Sequence, residues 1–126
     1  MSLAFIFPGQ AAQYVGMASD LYEASPVARE VFDLAEETVG AGLKSACFEG
    51  PEDTLRQTLV TQPAVFAHSV ATLLILKDRG ICPDYVAGHS VGELAALVAA
   101  GAISVEDGIR LVGVRATAMH AAGQLR

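Results

Sequence analysis

Apolar residues in this chain fall into two short continuous runs and several longer segments with helical spacing. The first run, Leu3 to Phe7, is ended by Pro8 and Gly9 and predicts a strand buried on both faces, as the strands of parallel sheets are. The second run lies within residues 83–87 and predicts another buried strand. Strands that alternate with helices are typical of an α/β fold with a parallel sheet.

Helical segments separate and follow these runs, and most have a recognisable start or stop signal. Ser25 and Pro26 begin the first helix and Gly40 ends it. The predicted helices cover residues 26–39, a short segment from residue 51, and residues 61–79, 93–100 and 105–123. The helix over 61–79 is apolar nearly all round, so we expect it in the middle of the fold. His68 lies within it and is interpreted as a hydrogen-bonded core residue rather than a catalyst.

Composition narrows the function classes. The chain has 126 residues, is 52% hydrophobic and carries a formal charge of −6, which suits one globular domain or part of a larger one. No basic patch with interleaved aromatic residues points to a nucleic-acid partner. The N-terminus has no basic leader segment and His68, Ser69 and Thr72 interrupt the longest apolar segment, so we expect a cytoplasmic protein that neither enters nor spans a membrane. Cys47 and Cys82 are expected to be reduced, packed thiols.

Residues 88–92 (GHSVG) fit the G-x-S-x-G pattern of a nucleophile elbow. They lie between a predicted strand and a predicted helix, which is the context that the pattern requires. Gly88 and Gly92 leave room for a tight turn on which the Ser90 hydroxyl is exposed. The following helix directs its first free N–H groups toward an oxyanion formed near Ser90. We therefore interpret Ser90 as a catalytic nucleophile, with a purely structural turn as the alternative.

Arg115 does not match the pattern of the last predicted helix, which Ser104 caps. At about 100° per residue, Glu106 and Arg110 form an ion pair on the outer face, whereas Arg115 falls on the apolar side. Its neighbours one turn away are Leu111, Val112, Ala118 and Met119. A buried guanidinium needs a partner. The partner is either a tertiary acid or backbone carbonyl within the protein, or a substrate carboxylate gripped through two parallel hydrogen bonds.

Four motifs together resemble one enzyme family. They are residues 7–13 (FPGQAAQ), 61–64 (TQPA), 88–93 (GHSVGE) and the arginine that ends 111–115 (LVGVR). Their order and spacing resemble the malonyl-CoA:acyl carrier protein transacylases and the related acyltransferase domains of fatty acid and polyketide synthases. The resemblance implies an α/β hydrolase-like parallel-sheet core, with residues 1–126 forming the N-terminal part of the large acyltransferase subdomain.

The resemblance also assigns roles to residues. Ser90 resembles the nucleophile that carries the malonyl group as an ester, and Arg115 resembles the arginine that holds the malonyl carboxylate. Gln10 and Val91 match the positions whose backbone N–H groups form the oxyanion hole, and His89 matches a supporting, substrate-binding histidine. No metal or redox cofactor is implied. The expected partners are malonyl-CoA and an acyl carrier protein whose phosphopantetheine thiol accepts the acyl group.

The sequence departs from the family pattern at two points. Ala11 stands where the family loop usually has a second glycine, and an alanine that must adopt a positive φ strains the loop by about 1 kcal/mol or more. Family members are also more than twice as long. We expect the ferredoxin-like small subdomain and the general-base histidine to be absent from this chain, because neither His68 nor His120 matches that base. The chain alone is therefore expected to be inactive, and to need a longer form or a separate C-terminal half.

Two alternatives to a malonyl transferase remain at this point. An ordinary serine esterase or acyl hydrolase shares the elbow but has no reason to bury an unpaired arginine. An inactive fragment that only binds a partner would contain both the elbow and the arginine but would catalyse no reaction. Acylation of Ser90 separates the enzymes from the fragment, and transfer to a thiol rather than to water separates the transferase from the esterase.

Overall fold

The computed structural model describes residues 1–40 and 42–125. Within them, strands β1 (Ala4–Phe7) and β2 (Tyr85–Gly88) pair in parallel, with Ala4 opposite Tyr85 and Phe7 opposite Gly88. The helices are α1 (Ser19–Ala24), α2 (Pro26–Val39), α3 (Leu43–Phe48), α4 (Glu52–Leu55), α5 (Thr58–Asp78), α6 (Gly92–Ala99) and α7 (Val105–Gly123). This is the α/β arrangement with a parallel sheet that the sequence predicts, because parallel strands need a long crossover and helices supply it.

Two predicted helix starts are confirmed by their capping hydrogen bonds. Ser25 Oγ accepts the Ala28 N–H of α2 at 3.2 Å, and Ser104 Oγ accepts the Asp107 N–H of α7 at 3.1 Å. Each cap satisfies an N–H group that has no acceptor within its own helix. The predicted pair of Arg110 with Glu106 is also present, at 3.8 Å between Nη2 and Oε2.

The central element is α5, which packs against α2, α6 and α7. Its contact with α7 is close because Gly108 has no side chain: a Cβ there would lie 2.6 Å from Cζ of Phe66. By length and composition α5 could also cross a membrane, but 56% of its most apolar window is buried inside the protein. Burial against three other helices is what the core helix of a globular domain shows, and the predicted central position of α5 is confirmed.

Helix prediction was wrong in two respects. The start of α5 was expected at residues 61–63, whereas the helix begins at Thr58 and holds Pro63 in its interior. The missing N–H of Pro63 removes the bond to the Leu59 carbonyl, and burial of the ring accompanies that loss. Helices α1 and α3 were not predicted at all. Each has six residues and begins after a residue with left-handed backbone and no side-chain cap, so neither has the usual sequence signals.

The strands are less buried than expected. Alternate side chains point to opposite faces of a strand, and here Phe5 and Phe7 pack on the helical core while Ile6 is 77% exposed. In the paired strand, Tyr85 is 66% exposed. The expectation of strands buried on both faces was wrong for the described residues, because the helices there cover one face and the sheet has two strands.

The two cysteines differ in environment. Cys47 of α3 is fully buried in the core, and burial raises the pKa of its thiol to about 12. Cys82 lies exposed before β2. The expectation of packed thiols therefore holds for Cys47 and was wrong for Cys82.

Candidate active site

Ser90 lies on the turn between β2 and α6 and has a φ of +56°. A left-handed serine is strained by about 1–2 kcal/mol, so the surrounding structure must hold it in place. Two glycines allow this. A Cβ on Gly88 would lie 2.1 Å from the Gly92 carbonyl oxygen, and a Cβ on Gly92 would lie 2.2 Å from the Phe7 carbonyl oxygen. The predicted order of strand, strained serine turn and helix is thus present around Ser90.

The loop after β1 lies directly against this elbow. A Cβ on Gly9 would lie 2.6 Å from the His89 carbonyl oxygen and 3.2 Å from the Ser90 Cβ. The His89 N–H in turn donates to the Phe7 carbonyl at 3.1 Å and extends the strand pairing to the elbow. The ends of both parallel strands therefore meet at one edge of the sheet, where open α/β sheets place their ligand sites.

Ala11 in this loop has a φ of +94°, so the expected strain at the missing glycine is present. Two side chains hold the loop. The Ala11 N–H donates to Gln13 Oε1 at 2.7 Å, and the Gln10 side-chain amide donates to Thr58 Oγ1 at 3.3 Å. Among the described residues, neither the Gln10 N–H nor the Val91 N–H has a hydrogen-bond acceptor. Both groups therefore remain available as hydrogen-bond donors.

Arg115 of α7 spans the gap between the core and the elbow. Its Nη1 donates to Gln62 Oε1 at 2.7 Å and its Nη2 donates to Ser90 Oγ at 3.2 Å. Among residues 1–40 and 42–125, no carboxylate forms an ion pair with it. Arg115 is half-buried, and its guanidinium reaches the buried Gln62, so the predicted inward direction holds in part. Its neighbours Leu111 and Met119 are 44% and 45% exposed, and its partner within the protein is a neutral amide instead of an acid.

Gln62 is the site residue to which the sequence assigned no role. It is fully buried on α5, and its Nε2 donates to the Met119 sulfur at 3.3 Å. This contact fixes which end of the amide faces Arg115, so that the oxygen accepts from the guanidinium. The available signal was a glutamine inside an otherwise apolar helix, because a buried amide needs partners for both of its ends.

The comparisons with known proteins decide the family. Residues 4–125 match the family described as the acyl transferase domain. The chain belongs to this acyl transferase family. The malonyl CoA-acyl carrier protein transacylase of Bacillus subtilis (strain 168) is 47% identical over 120 residues, which cover 95% of this chain and 38% of that protein.

Solved structures agree with the acyl transferase assignment. The malonyl-CoA:ACP transacylase of Synechocystis sp. PCC 6803 superimposes with a TM-score of 0.92 at 41% identity, covering 97% of this chain and 41% of that one. A malonyl-transacylase in complex with a type II polyketide synthase acyl-carrier protein gives a TM-score of 0.89 at 41% identity, with 97% and 40% covered. The chain thus spans about two fifths of the relatives it matches.

No histidine ring of the described part of this acyl transferase chain forms a hydrogen bond with Ser90 Oγ. His89 and His120 are exposed. His68 is half-buried, its ring lies edge-on to Tyr14 with 6.5 Å between centroids, and burial lowers its pKa. The hydrogen bond expected for the His68 ring is not found among the described residues, and the ring packs against Tyr14 instead.

A cavity of about 720 Å³ lies between the end of α2 and α7, and Ser90, Gln62 and Arg115 do not line it. Ser90 itself is exposed on the elbow, and Arg115 of α7 reaches it. Across the described ranges, no three His, Cys, Asp or Glu side chains come together as metal ligands. Arg115 thus joins Ser90 of the elbow to Gln62 of α5, and the roles predicted for Ser90, Arg115, His89, Gln10 and Val91 stay predictions.

Proposed function

We propose that this chain carries the nucleophile and the carboxylate clamp of a ping-pong transferase. The enzyme moves a malonyl group from malonyl-CoA to the phosphopantetheine thiol of an acyl carrier protein. The observation that carries this proposal is the position of Arg115, which bonds Ser90 and a neutral buried amide and forms no ion pair with a carboxylate among the described residues. The relatives named above support the substrate and the acceptor, since their names specify malonyl-CoA and acyl carrier protein.

In the first half-reaction, Ser90 Oγ attacks the thioester carbonyl of malonyl-CoA and its proton passes to a base. The resulting oxyanion is held by the N–H groups of Gln10 and Val91, which have no acceptor among the described residues. The intermediate collapses to a malonyl-serine ester as coenzyme A leaves. The carrier thiol then attacks this ester and regenerates Ser90.

Arg115 selects the acyl group. Its guanidinium lies 3.2 Å from Ser90 Oγ, so the carboxylate of a malonyl group bound to Ser90 comes within its reach. A planar guanidinium matches a carboxylate with two parallel hydrogen bonds. An acetyl group has no carboxylate and leaves the Arg115 charge unpaired. The arginine therefore favours a carboxylated acyl group and gives the enzyme a preference that an ordinary esterase elbow lacks. His89, whose ring adjoins Gly9 beside the elbow, supports substrate binding in this scheme.

Ser90 still needs a proton acceptor. Arg115 only donates hydrogen bonds, and no histidine ring of the described part contacts the Ser90 hydroxyl. We infer that the base is a histidine from a C-terminal half that corresponds to the part of the relatives this chain does not cover. A placed base contributes about 10²- to 10⁴-fold, so multiple turnover depends on it.

The test is acylation by malonyl-CoA, followed by intact mass and peptide mapping. It is run on this chain alone and on the chain joined to the C-terminal part of the Bacillus subtilis relative. The joined form should gain one malonyl group on the peptide that contains Ser90 and pass it to an acyl carrier protein, and Ser90→Ala should gain none. Arg115→Ala should lose about 10²-fold with malonyl-CoA and little with acetyl-CoA, since one bidentate charged contact is removed.

Several results would contradict the proposal. Labelling that survives Ser90→Ala would remove the serine from the mechanism. Release of malonate to water, with none reaching the carrier protein, would make the protein a hydrolase. Equal losses with both thioesters in Arg115→Ala would make the arginine a structural residue, and full turnover by the chain alone would place the base among His68, His89 and His120.

A further inference from the structure

The loop after β1 contains a tight turn whose conformation Ala11 disfavours. The Ala12 N–H donates to the Gly9 carbonyl at 3.3 Å, so residues 9–12 form a β-turn with Gln10 and Ala11 at its centre. Ala11 has a φ of +94°, whereas Gln10 has no positive φ. This combination defines a type II turn, in which the third position normally holds glycine. An alanine there favours the more common type I turn.

The two turn types differ by a flip of the central peptide. In passing from type II to type I, the peptide that joins Gln10 to Ala11 rotates by about half a turn, so that its N–H and carbonyl exchange sides. The Ala11 N–H belongs to this peptide. Its direction therefore reports which of the two turns the loop adopts.

Gln13 accepts that N–H. Its Oε1 lies 2.7 Å from the Ala11 nitrogen, and the side chain is half-buried. The bond exists only while the peptide has its type II direction, because the flip would bring the Gln10 carbonyl toward the Gln13 oxygen. Two oxygen acceptors facing each other repel, so the same side chain favours one state and opposes the other.

We propose that Gln13 is a positioning residue that holds the turn at residues 9–12 in the type II form despite Ala11. The proposal rests on the proposed function. The flip changes ψ of Gln10 and φ of Ala11, and the Gln10 N–H belongs to the peptide just before, so the turn acts on this N–H through the position of the loop. Gly9 lies against His89 and Ser90, and a displaced turn would disturb this contact as well.

The test combines substitutions of the Gln13 side chain with glycine substitutions that change the backbone preference of the turn. Gln13→Met keeps the length of the side chain and removes the acceptor, and Gln13→Glu keeps an oxygen acceptor. Ala11→Gly removes the conformational penalty, and Ala12→Gly is the matched control because Ala12 has no positive φ. Each variant is made in the form of the protein that acylates Ser90, and the rate and half-saturation with malonyl-CoA are measured.

We expect Gln13→Met to lower the saturated acylation rate about tenfold and to leave half-saturation nearly unchanged, since the left-handed state of an alanine is disfavoured by about that factor. Gln13→Glu should stay within about threefold of the parent. In the Ala11→Gly background, Gln13→Met should cost only about twofold, because glycine adopts the turn without help. Equal losses from Gln13→Met in the alanine and glycine backgrounds would overturn the proposal. So would an Ala12→Gly background that reduces the loss from Gln13→Met as much as Ala11→Gly does.

A second measurement separates this proposal from the proposed function. Amide exchange of Ala11, followed by NMR in the 126-residue chain, needs no catalysis. The amide should be protected in the parent and in Gln13→Glu, and it should exchange rapidly in Gln13→Met. Absence of any acyl-Ser90 would contradict the proposed function alone. An Ala11 amide that exchanges equally fast in the parent and in Gln13→Met would contradict the role of Gln13.

Discussion

Replacing Gln62 by glutamate tests why a neutral residue holds Arg115. The change keeps an acceptor oxygen about where Oε1 now lies, 2.7 Å from Nη1, and adds a negative charge to a fully buried position. The new carboxylate would pair with the guanidinium and repel the carboxylate of a malonyl substrate on its far side. At a separation of about 6 Å and an effective dielectric constant of about 20, this repulsion is about 3 kcal/mol. We therefore expect about a 100-fold loss of kcat/KM for malonyl-CoA.

The assay compares malonyl-CoA with acetyl-CoA in the form of the protein that acylates Ser90. Acetyl-CoA has no carboxylate to repel, so its kcat/KM should change by less than about threefold. The preference for malonyl-CoA over acetyl-CoA should therefore fall by nearly the same factor as kcat/KM for malonyl-CoA. Gln62→Leu is the control without charge. It removes one bond to a charged group and should lose about tenfold with malonyl-CoA. Equal losses for both thioesters in Gln62→Glu, or unchanged selectivity, would refute the reasoning that Arg115 is kept unpaired for a substrate carboxylate.

Two further predictions concern the folded chain. Because burial lowers the pKa of His68 below its ordinary value of about 6.5, the unfolded state binds more protons just below that pH. The contribution of His68 to stability should therefore be constant above about pH 6.5 and fall as the pH drops. His68→Gln should flatten this fall of Tm, whereas the exposed His120→Gln should not, and an unchanged slope in His68→Gln would contradict the assignment. In alkylation at pH 8, the exposed Cys82 should react within minutes, and buried Cys47, with its pKa raised to about 12, should react only after unfolding. Rapid modification of Cys47 in the native chain would show that α3 opens locally.

Features that depend on a few neighbouring residues were predictable from the sequence. The elbow at Ser90 was found because its glycines, strand and helix lie within one short segment, and backbone sterics act over that range. The caps at Ser25 and Ser104 were found for the same reason. The helical period also showed that Arg115 points inward, since position on a helix depends only on spacing.

The hydrogen-bond partners of these residues could be identified only from the tertiary structure. Gln62 lies 53 positions from Arg115, and their bond depends on how α5 packs against α7, which no local pattern contains. The exposure of Ile6 likewise depends on which elements cover the sheet, because the residues of a strand do not determine what packs on each of its faces. The loop after β1 depends on both the local sequence and the tertiary structure. The sequence determined that Ala11 stands where a glycine is usual, whereas the fold decided that this position has a positive φ and that Gln13 accepts its N–H. Backbone preference is local, but only packing brings a particular acceptor to a particular donor.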